Sequence, residues 1–174
     1  MPSVLYSVGH STRTADDFVA LLQAYGILGL ADVRTIPGSR RHPQFGGERL
    51  RERLEREGIA YRHLAELGGL RRPRPDSRNG AWTHRAFRGY ADYMETPAFE
   101  AGLDGLLAFA AGKPTAFMCA EAVWWRCHRR LIADALLARG AVVRHILSPT
   151  EAPTHELPPF ARIIGRQVAY FGLF

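Results

Sequence analysis

At 174 residues the chain has the length of one ordinary domain, and its 47% hydrophobic and 23% charged residues are typical of a globular protein that buries a core. No stretch approaches the length of a membrane span. The N-terminus MPSVLYSVGH lacks a basic region followed by an apolar core, so we expect a cytoplasmic protein without membrane contact. The two cysteines fit a reducing compartment and are expected to be free thiols.

The net charge of +6 is concentrated in one part of the chain, because segment 34–88 holds 14 arginines against 6 acidic residues. Arginine presents a forked pair of donors to phosphate and carboxylate, so this segment is a candidate surface for an anionic partner. Its run RRPRPDSRNGAWTHRAFRGY interleaves arginine with aromatic residues, and Trp82 could stack on a nucleic-acid base. A solvated basic loop is an equally acceptable interpretation.

Strands and helices alternate along the first half of the chain. The predicted elements are a strand at 4–8, a helix capped by Thr14 and ended by Gly26, a strand at 28–33, a charged helix at 48–57 and a strand at 59–64. The loop 35–47, with two prolines and three glycines, cannot be regular structure. A second long loop, 66–82, is rich in Pro and Gly, and loops of that length in a compact domain are usually functional or disordered.

The second half continues the alternation. Its predicted elements are a helix through Phe87, Tyr90 and Met94, a helix capped by Thr96, a strand at 115–119, a helix opened by Cys127 and ended by Gly140, and a strand at 141–147. The tail 148–174 holds four prolines and an apolar end. We expect it to dock either on the domain or on a second subunit, which would make a homodimer.

This pattern predicts a single α/β domain over 1–174, with a mainly parallel sheet covered by helices on both faces in a Rossmann-like three-layer arrangement. Right-handed crossovers place the carboxyl ends of all the strands on one edge. Three clusters should therefore converge there: His10 with Ser11, Asp32 and Arg34 with the following loop, and the segment from Cys119 to Arg129.

Several of these side chains are candidates for chemistry. Cys127, expected at a helix start beside His128 and Arg129, is a candidate nucleophile, because helix dipoles and cations lower the pKa of a thiol. The alternative is a small buried residue. Glu121 and His10 are candidate acid–base groups. A structural ion pair for Glu121, and a hydrogen bond to a backbone carbonyl for His10, are the alternatives.

Arg34, Arg40 and Arg129 predict an anion site next to the start of that helix. The alternative is that Asp32 and Glu121 neutralise these arginines inside the fold. Cys119 follows an apolar run and is expected in the core. Neither a C-x-x-C pair nor the usual histidine pair is present, so no metal and no cofactor are expected.

The motifs together resemble a known family. GHS after the first strand, DVRTIPGSRRHPQF after the second, LGGL in the long loop, and MCAEAVWWRCHRRLIADAL with the following GAVVRHI are similar to the domain of unknown function 488 family, over roughly 4–146. The resemblance implies a cytoplasmic α/β protein of this size and brings no established activity. The family's shared positions fall on His10, Ser11, Asp32, Arg34, Pro37, Ser39, Arg40, Phe45, Gly68, Gly69, Glu121, Cys127, His128 and Arg129.

Two aspects of this resemblance bear on function. From the shared positions we take Ser11, Asp32, Arg34, Ser39, Arg40, His128 and Arg129 as candidate ligand-binding residues. Family members often have Asp and Pro between the Glu and the CHR motif, where this chain has Val123, Trp124, Trp125 and Arg126. The two tryptophans could form the wall of an aromatic-binding pocket or simply pack.

Two functions are compatible with these patterns. The first is an enzyme, or an enzyme-like binder, for an anionic, phosphate-bearing and nucleotide-like ligand at the carboxyl ends of the strands. The alternative is a nucleic-acid-binding accessory domain that uses the surface of segment 34–88 without catalysis. The sequence leaves open whether the protein is an enzyme.

Overall fold

The computed structural model describes residues 2–172, with strands and helices in the predicted order. The strands are β1 (Val4–Gly9), β2 (Gly29–Asp32), β3 (Ala60–His63), β4 (Thr115–Cys119), β5 (Val142–His145), β6 (Arg162–Ile164) and β7 (Gln167–Ala169). The helices are α1 (Ala15–Ala24), α2 (Gly47–Arg56), α3 (Arg85–Tyr93), α4 (Pro97–Ala110) and α5 (Arg129–Ala138). Met1, Leu173 and Phe174, the outermost residues of the predicted domain and tail, lie outside the described residues.

Five strands form one parallel sheet in the order β3-β2-β4-β1-β5. β4 separates β1 from β2, so the order reverses in the middle of the sheet. The carboxyl ends of these three strands are adjacent, and the loops that follow them meet at one edge. The predicted parallel α/β architecture is confirmed.

Helices cover both faces of the sheet, because the apolar side chains of each strand alternate between two clusters. In β1, Leu5 packs in the cluster that holds α3, α4 and α5, whereas Val8 packs in the cluster that holds α1 and α2. Alternate residues of a strand point to opposite faces, so a buried strand feeds both layers. Within the described part of the chain, no helix has both the length and the apolarity that a membrane crossing requires.

The helix ends follow the predicted local signals. Thr14 accepts a hydrogen bond from the backbone N–H of Asp17 at 3.0 Å, and Thr96 accepts one from that of Phe99 at 3.3 Å. These caps satisfy N–H groups that have no partner inside a helix. α5 begins at Arg129, two residues after the predicted start at Cys127, and β5 is shorter than the predicted strand 141–147.

The tail docks on the domain of its own chain. Val168, Ala169 and Tyr170 are buried, and β7 lies against α5. The Tyr170 hydroxyl donates to Asp134 at 2.7 Å, and its backbone N–H donates to the side-chain oxygen of Asn79 at 3.0 Å. Of the two docking modes expected from the sequence, the described tail residues adopt the intramolecular one.

Candidate functional site

A cleft of about 800 Å³ opens where the carboxyl ends of β1, β2 and β4 meet. Ligands of open parallel sheets bind at this edge, where the strand order reverses. The predicted site residues that line the cleft are His10, Ser11, Arg34, Ser39, Arg40, Glu121, Cys127 and His128. The structure thus brings His10, Arg34 and Glu121 together at one edge, as the predicted topology requires.

Two predicted ligand-binding residues, Asp32 and Arg129, lie beneath the cleft and do not line it. Asp32 has no exposed surface, and Arg129 is 1% exposed. Both Asp32 oxygens hold Arg34, at 2.9 Å from Nε and 2.7 Å from Nη2. The expectation that Asp32 and Arg129 contact a ligand directly does not fit this placement. They support the residues that face the cleft.

The start of α5 also differs from the expected anion site. The backbone N–H of Cys127 donates to the Trp124 carbonyl at 3.2 Å. The backbone N–H of Arg129 donates to Cys127 Sγ at 3.5 Å. These two N–H groups already have partners inside the chain, and the cationic donors available to an anion here are side chains that line the cleft.

The backbone around the cleft is unusual at three positions. Among the described residues, only Ser11 (φ 53°) and Leu70 (φ 63°) are non-glycine residues with positive φ, and both line the cleft. Such conformations cost free energy and cluster at functional sites. Gly9 permits the close approach of β1 to the loop after β4, because a Cβ there would overlap the Glu121 carbonyl. The GHS motif is therefore fixed against that loop.

His10 presents an unprotonated nitrogen to the cleft. Its ring is 2% exposed and stacks on Phe45 with 4.3 Å between ring centroids. Nδ1 lies 2.9 Å from the Ser11 carbonyl oxygen, which can only accept, so Nδ1 carries the proton. Burial is the main cause that lowers the pKa of His10 to about 4. At neutral pH, Nε2 is therefore a bare acceptor, and no described residue pairs with it.

Arg34 has one hydrogen-bond donor, Nη1, that has no partner among the described residues. Its Nη2 donates to Asp32 and to the Phe45 carbonyl at 2.8 Å, whereas Nη1 is buried and has no partner among the described residues. The side chain is 8% exposed and lines the cleft. His10 and Arg34 both line the cleft and both touch Phe45, so the acceptor Nε2 and the donor Nη1 belong to neighbouring residues. A ligand that accepts one hydrogen bond and donates another would satisfy both atoms.

Cys127 lies in contact with a second cysteine and a histidine of the cleft. Its Sγ lies 2.6 Å from Cys119 Sγ and 3.4 Å from His128 Nδ1. Burial raises the pKa of the Cys127 thiol, but the hydrogen bond from Cys119 and the charge of Arg129 outweigh it and lower the pKa to about 7. For Cys119, burial and the same hydrogen bond raise the pKa well above its ordinary value. Cys127 is therefore the cysteine of the pair that loses its proton first, while Cys119 keeps its own.

His128 Nδ1 faces Cys127 Sγ and can accept a hydrogen bond from the thiol form of Cys127. Its Nε2 lies 2.9 Å from the Val33 carbonyl oxygen, so Nε2 carries the hydrogen and Nδ1 is the acceptor beside Cys127 Sγ. Burial lowers the pKa of His128, which keeps the ring neutral. Gly69 allows this arrangement, because a Cβ at that position would press on the His128 ring at 3.1 Å from Nδ1.

A family model described as domain of unknown function DUF488 matches residues 14–136. The chain belongs to this family. The match is shorter than the span 4–146 over which the motifs resemble the family. It contains Cys119 at the end of β4 and the cleft residues of the loops that follow β2, β3 and β4, and His10 and Ser11 precede it. No curated protein and no solved structure matches the chain.

Sequence reasoning missed part of the cleft in this DUF488 protein. Cys119 was expected to be core; it is 3% exposed, but it also lines the cleft. Its position as the last residue of β4 was the available signal, since that position ends at the cleft edge. Ile36 and Leu70 also line the cleft and are 77% and 92% exposed. Both sit in loops whose shape the sequence does not specify.

The charge around the cleft is positive on balance. Arg34, Arg40 and Arg41 line it with a single carboxylate, Glu121. Neither Arg40 nor Arg41 is in an ion pair with a described residue, and both are exposed. Within 2–172, no group of three or more His, Cys, Asp or Glu side chains is arranged to hold a metal ion.

The Arg-rich segment 34–88 is less available to nucleic acid than its sequence suggests. Trp82 is 6% exposed and packs against Phe160 and Tyr170, so it does not offer a face to a base. Arg74 and Arg78 both pair with Glu95. Other arginines of the segment are exposed, but without a free aromatic face the surface lacks the stacking partner expected from the sequence.

Proposed function

We propose that the cleft is the active site of a thiol-dependent enzyme that binds an anionic, phosphate-bearing ligand. The observation that carries the proposal is that two residues that line the cleft each have an unpartnered buried atom, His10 Nε2 and Arg34 Nη1. A buried polar atom without a partner costs about 1–3 kcal/mol, so a ligand that satisfies both gains affinity. A phosphate monoester near its second pKa of about 6 offers both a P–OH donor and anionic oxygens.

The rest of the cleft fits a ligand with a charged and an apolar part. Arg40 and Arg41 add cationic donors on the loop after β2. Ile36 and Leu70 add exposed apolar side chains on the rim. A nucleotide combines these features, with phosphate toward the arginines and the base against the aliphatic side chains.

Cys127 would supply the chemistry. Its thiolate would attack an electrophilic centre of the ligand held beside Sγ. A bond to sulfur would form as the bond from that centre to its leaving group breaks, and the leaving group would depart with the proton that Cys127 gave up. Protons would move through the two neutral histidines, His10 and His128, whose free nitrogens are Nε2 and Nδ1. Glu121, exposed on the cleft wall, would serve as a further acid–base group.

Ligand-induced stabilisation tests this proposal. Inorganic phosphate, nucleoside monophosphates and sugar phosphates are added to reduced protein, and the melting temperature is measured. Binding at a hundred times Kd would stabilise the fold by about 2.7 kcal/mol. Arg40→Ala should weaken the binding by about 1.5–3 kcal/mol, the range for a hydrogen bond to a charged group.

Arg49→Ala is the matched control, because Arg49 is exposed on α2 and does not line the cleft. It should leave the ligand effect unchanged. The proposal is wrong if no phosphate-bearing compound shifts the melting temperature. It is also wrong if both variants lose the effect equally.

The alternative is a nucleic-acid-binding accessory domain that uses segment 34–88. The exposed Arg72 and Arg85 could meet backbone phosphates. Oligonucleotide binding with a steep salt dependence, undisturbed by Arg40→Ala, would favour this alternative. Saturable binding of a mononucleotide that Arg40→Ala weakens would favour the enzyme.

A further inference from the structure

We infer that Cys119 and Cys127 form a hydroperoxide-reactive dithiol, in which Cys127 attacks the peroxide and Cys119 resolves the product into a disulfide. This activity goes beyond the proposed function, because it needs neither the phosphate-bearing ligand nor the arginines of the cleft. Its substrate class is small hydroperoxides, and its reductant class is dithiols.

The first support is the contact between the two sulfur atoms. They lie 2.6 Å apart as free thiols, about half an ångström beyond the ~2.05 Å of an S–S bond. Cys119 ends β4, and Cys127 lies two residues before α5, so the intervening loop returns the chain to the same point. The Cys127 N–H bonds to the Trp124 carbonyl and holds that loop closed. The two sulfur atoms are already placed to form a disulfide once one of them has been oxidised.

The second support is access from solvent. Both cysteines line the cleft, although their exposed fractions are only 3% and 5%. A hydroperoxide is small enough to enter a cleft of about 800 Å³. The surrounding protein would at the same time keep bulky thiols from reaching Cys127. Cys119 would therefore react with oxidised Cys127 before an external thiol does.

The third support is a buried cation beside the sulfurs. Arg129 donates through Nε to Cys119 Sγ at 3.0 Å, through Nη1 to Ser7 Oγ at 3.1 Å and through Nη2 to the Glu121 carbonyl at 2.7 Å. No described carboxylate forms an ion pair with it. A buried charge is costly unless an opposite charge compensates it. A thiolate on the cysteine pair supplies that charge and is also the form that attacks a peroxide.

The reaction balances in two steps. The Cys127 sulfur attacks the terminal peroxide oxygen, an S–O bond forms, the O–O bond breaks, and the leaving alkoxide takes up the proton given up by Cys127 to become an alcohol. The Cys119 sulfur then attacks the Cys127 sulfenic acid, an S–S bond forms, and hydroxide leaves with the Cys119 proton as water. The two sulfurs are oxidised by two electrons, and the hydroperoxide is reduced by two. A dithiol returns the protein to its starting state.

The test uses reduced wild-type protein without any ligand. One equivalent of hydrogen peroxide is added near neutral pH, and the intact mass is measured. We expect a monomer lighter by two hydrogen atoms, both cysteines closed to iodoacetamide, and recovery of the original mass with dithiothreitol. A digest without reductant should give one linked peptide pair that contains Cys119 and Cys127, and this measurement needs no variant.

Two variants separate the roles of the cysteines. Cys119→Ser should leave Cys127 reactive but halt it as a sulfenic acid, one oxygen heavier and trapped by dimedone. Cys127→Ser should form neither product. The inference is overturned if folded wild-type protein keeps both thiols, if the disulfide links two chains, or if folded Cys119→Ser takes up no oxygen. If a variant does not fold, the wild-type digest alone decides.

This experiment and the ligand experiment can fail independently. Phosphate binding is measured in reduced protein, and peroxide oxidation is measured in ligand-free protein. Loss of one result therefore leaves the other intact.

Discussion

At the scale of single residues, the cleft is distinguished by atoms that the fold does not satisfy. Four buried side-chain nitrogens lack a partner among the described residues: His10 Nε2, Arg34 Nη1, Trp82 Nε1 and Arg139 Nε. His10 and Arg34 line the cleft, and the other two residues do not. Native proteins pair nearly all buried polar groups, so exceptions call for an explanation. At the cleft, the ligand proposed above would supply that explanation.

The protonation of Cys127 leads to a prediction about its reactivity. Its pKa of about 7 lies below the ordinary value of 9.0, so its thiolate fraction should rise with a midpoint near pH 7. The rate of alkylation of Cys127 by iodoacetamide, followed by mass spectrometry, should show that midpoint. In Cys119→Ala, which removes the donated hydrogen bond, the midpoint should move upward. A wild-type midpoint near 9 would contradict the assignment of the thiolate to Cys127.

The sequence could identify these residues but not their states. Cys127, His128 and Arg129 stand together in one motif, and that motif predicted a reactive thiol. Arg126, the immediate neighbour of Cys127 in sequence, is exposed, whereas the buried Arg129 reaches Cys119. Which arginine reaches the cysteine pair depends on where α5 begins, and α5 begins two residues later than predicted. Proton positions depend on contacts that only the folded chain makes.

At the scale of elements, a buried polar chain connects the cleft floor to the tail. Each member of the chain forms a hydrogen bond with the next, and the members come from β1, β5, α5 and the tail. In order they are Arg129, Ser7, His145, His155, Asp134 and Tyr170. Because Arg129 only donates, Ser7 accepts from it and donates to His145 Nδ1 at 2.5 Å. At the other end, the Asp134 carboxylate accepts from His155 at 2.6 Å. Every hydrogen bond therefore points toward Asp134.

The loop between β4 and α5 packs on this chain. Trp124 stacks on His145 with 4.2 Å between ring centroids and an interplanar angle of 7°. Trp125, the second tryptophan of the motif, is 44% exposed. Of the two roles expected for these tryptophans, Trp124 adopts packing, and it fixes the loop that carries Cys127. The tail and the cleft thus share one set of buried contacts.

Asp134 is the test of this connection, because two donors converge on it. Asp134→Asn would place an amide NH₂ against the His155 N–H or the Tyr170 hydroxyl and leave one of them unpaired. We expect the free energy of unfolding to fall by about 1–3 kcal/mol, the cost of an unsatisfied buried group. Urea denaturation measures this change.

Asp104→Asn is the control for that measurement. Asp104 is 67% exposed and pairs with Arg139 at 3.0 Å, so its loss should change stability by only about 0.5 kcal/mol. Equal urea midpoints for Asp134→Asn and the wild type would show that the polar chain does not support the fold.

At the scale of the whole molecule, the sheet was predictable and the tail was not. The strands of the sheet are short apolar runs such as VLYSV and TAFMC, separated by helices with clear caps, so parallelism and layering follow from the sequence, whereas the order of the strands in the sheet was not predicted. β6 and β7 have three residues each, and β6 is exposed, so no alternation of burial announces them. The docking of Tyr170 depends on Asn79 and Asp134, which lie far away in sequence.

Buried neutral histidines should make the stability of the whole molecule depend on pH. Burial is the main cause that lowers the pKa of His10 to about 4 and that of His145 to about 2, from 6.5 in the unfolded chain. Between pH 4 and 6.5 the unfolded chain therefore binds more protons than the folded one. The unfolding free energy must rise with pH in this window and fall as pH decreases through it. The slope is at most about 1.4 kcal/mol per pH unit for each histidine.

His10→Gln isolates one of these contributions. The glutamine does not titrate, so the unfolding free energy of the variant should depend less steeply on pH between 4 and 6.5, whatever its absolute stability. His84→Gln is the control, because His84 is exposed and its replacement should leave the slope unchanged. Urea denaturation at several pH values measures all three proteins. If the His10→Gln slope equals that of the wild type, His10 titrates in the folded protein as it does in the unfolded chain. Its Nε2 would then carry a proton at the acid end of this window and face a ligand there as a donor.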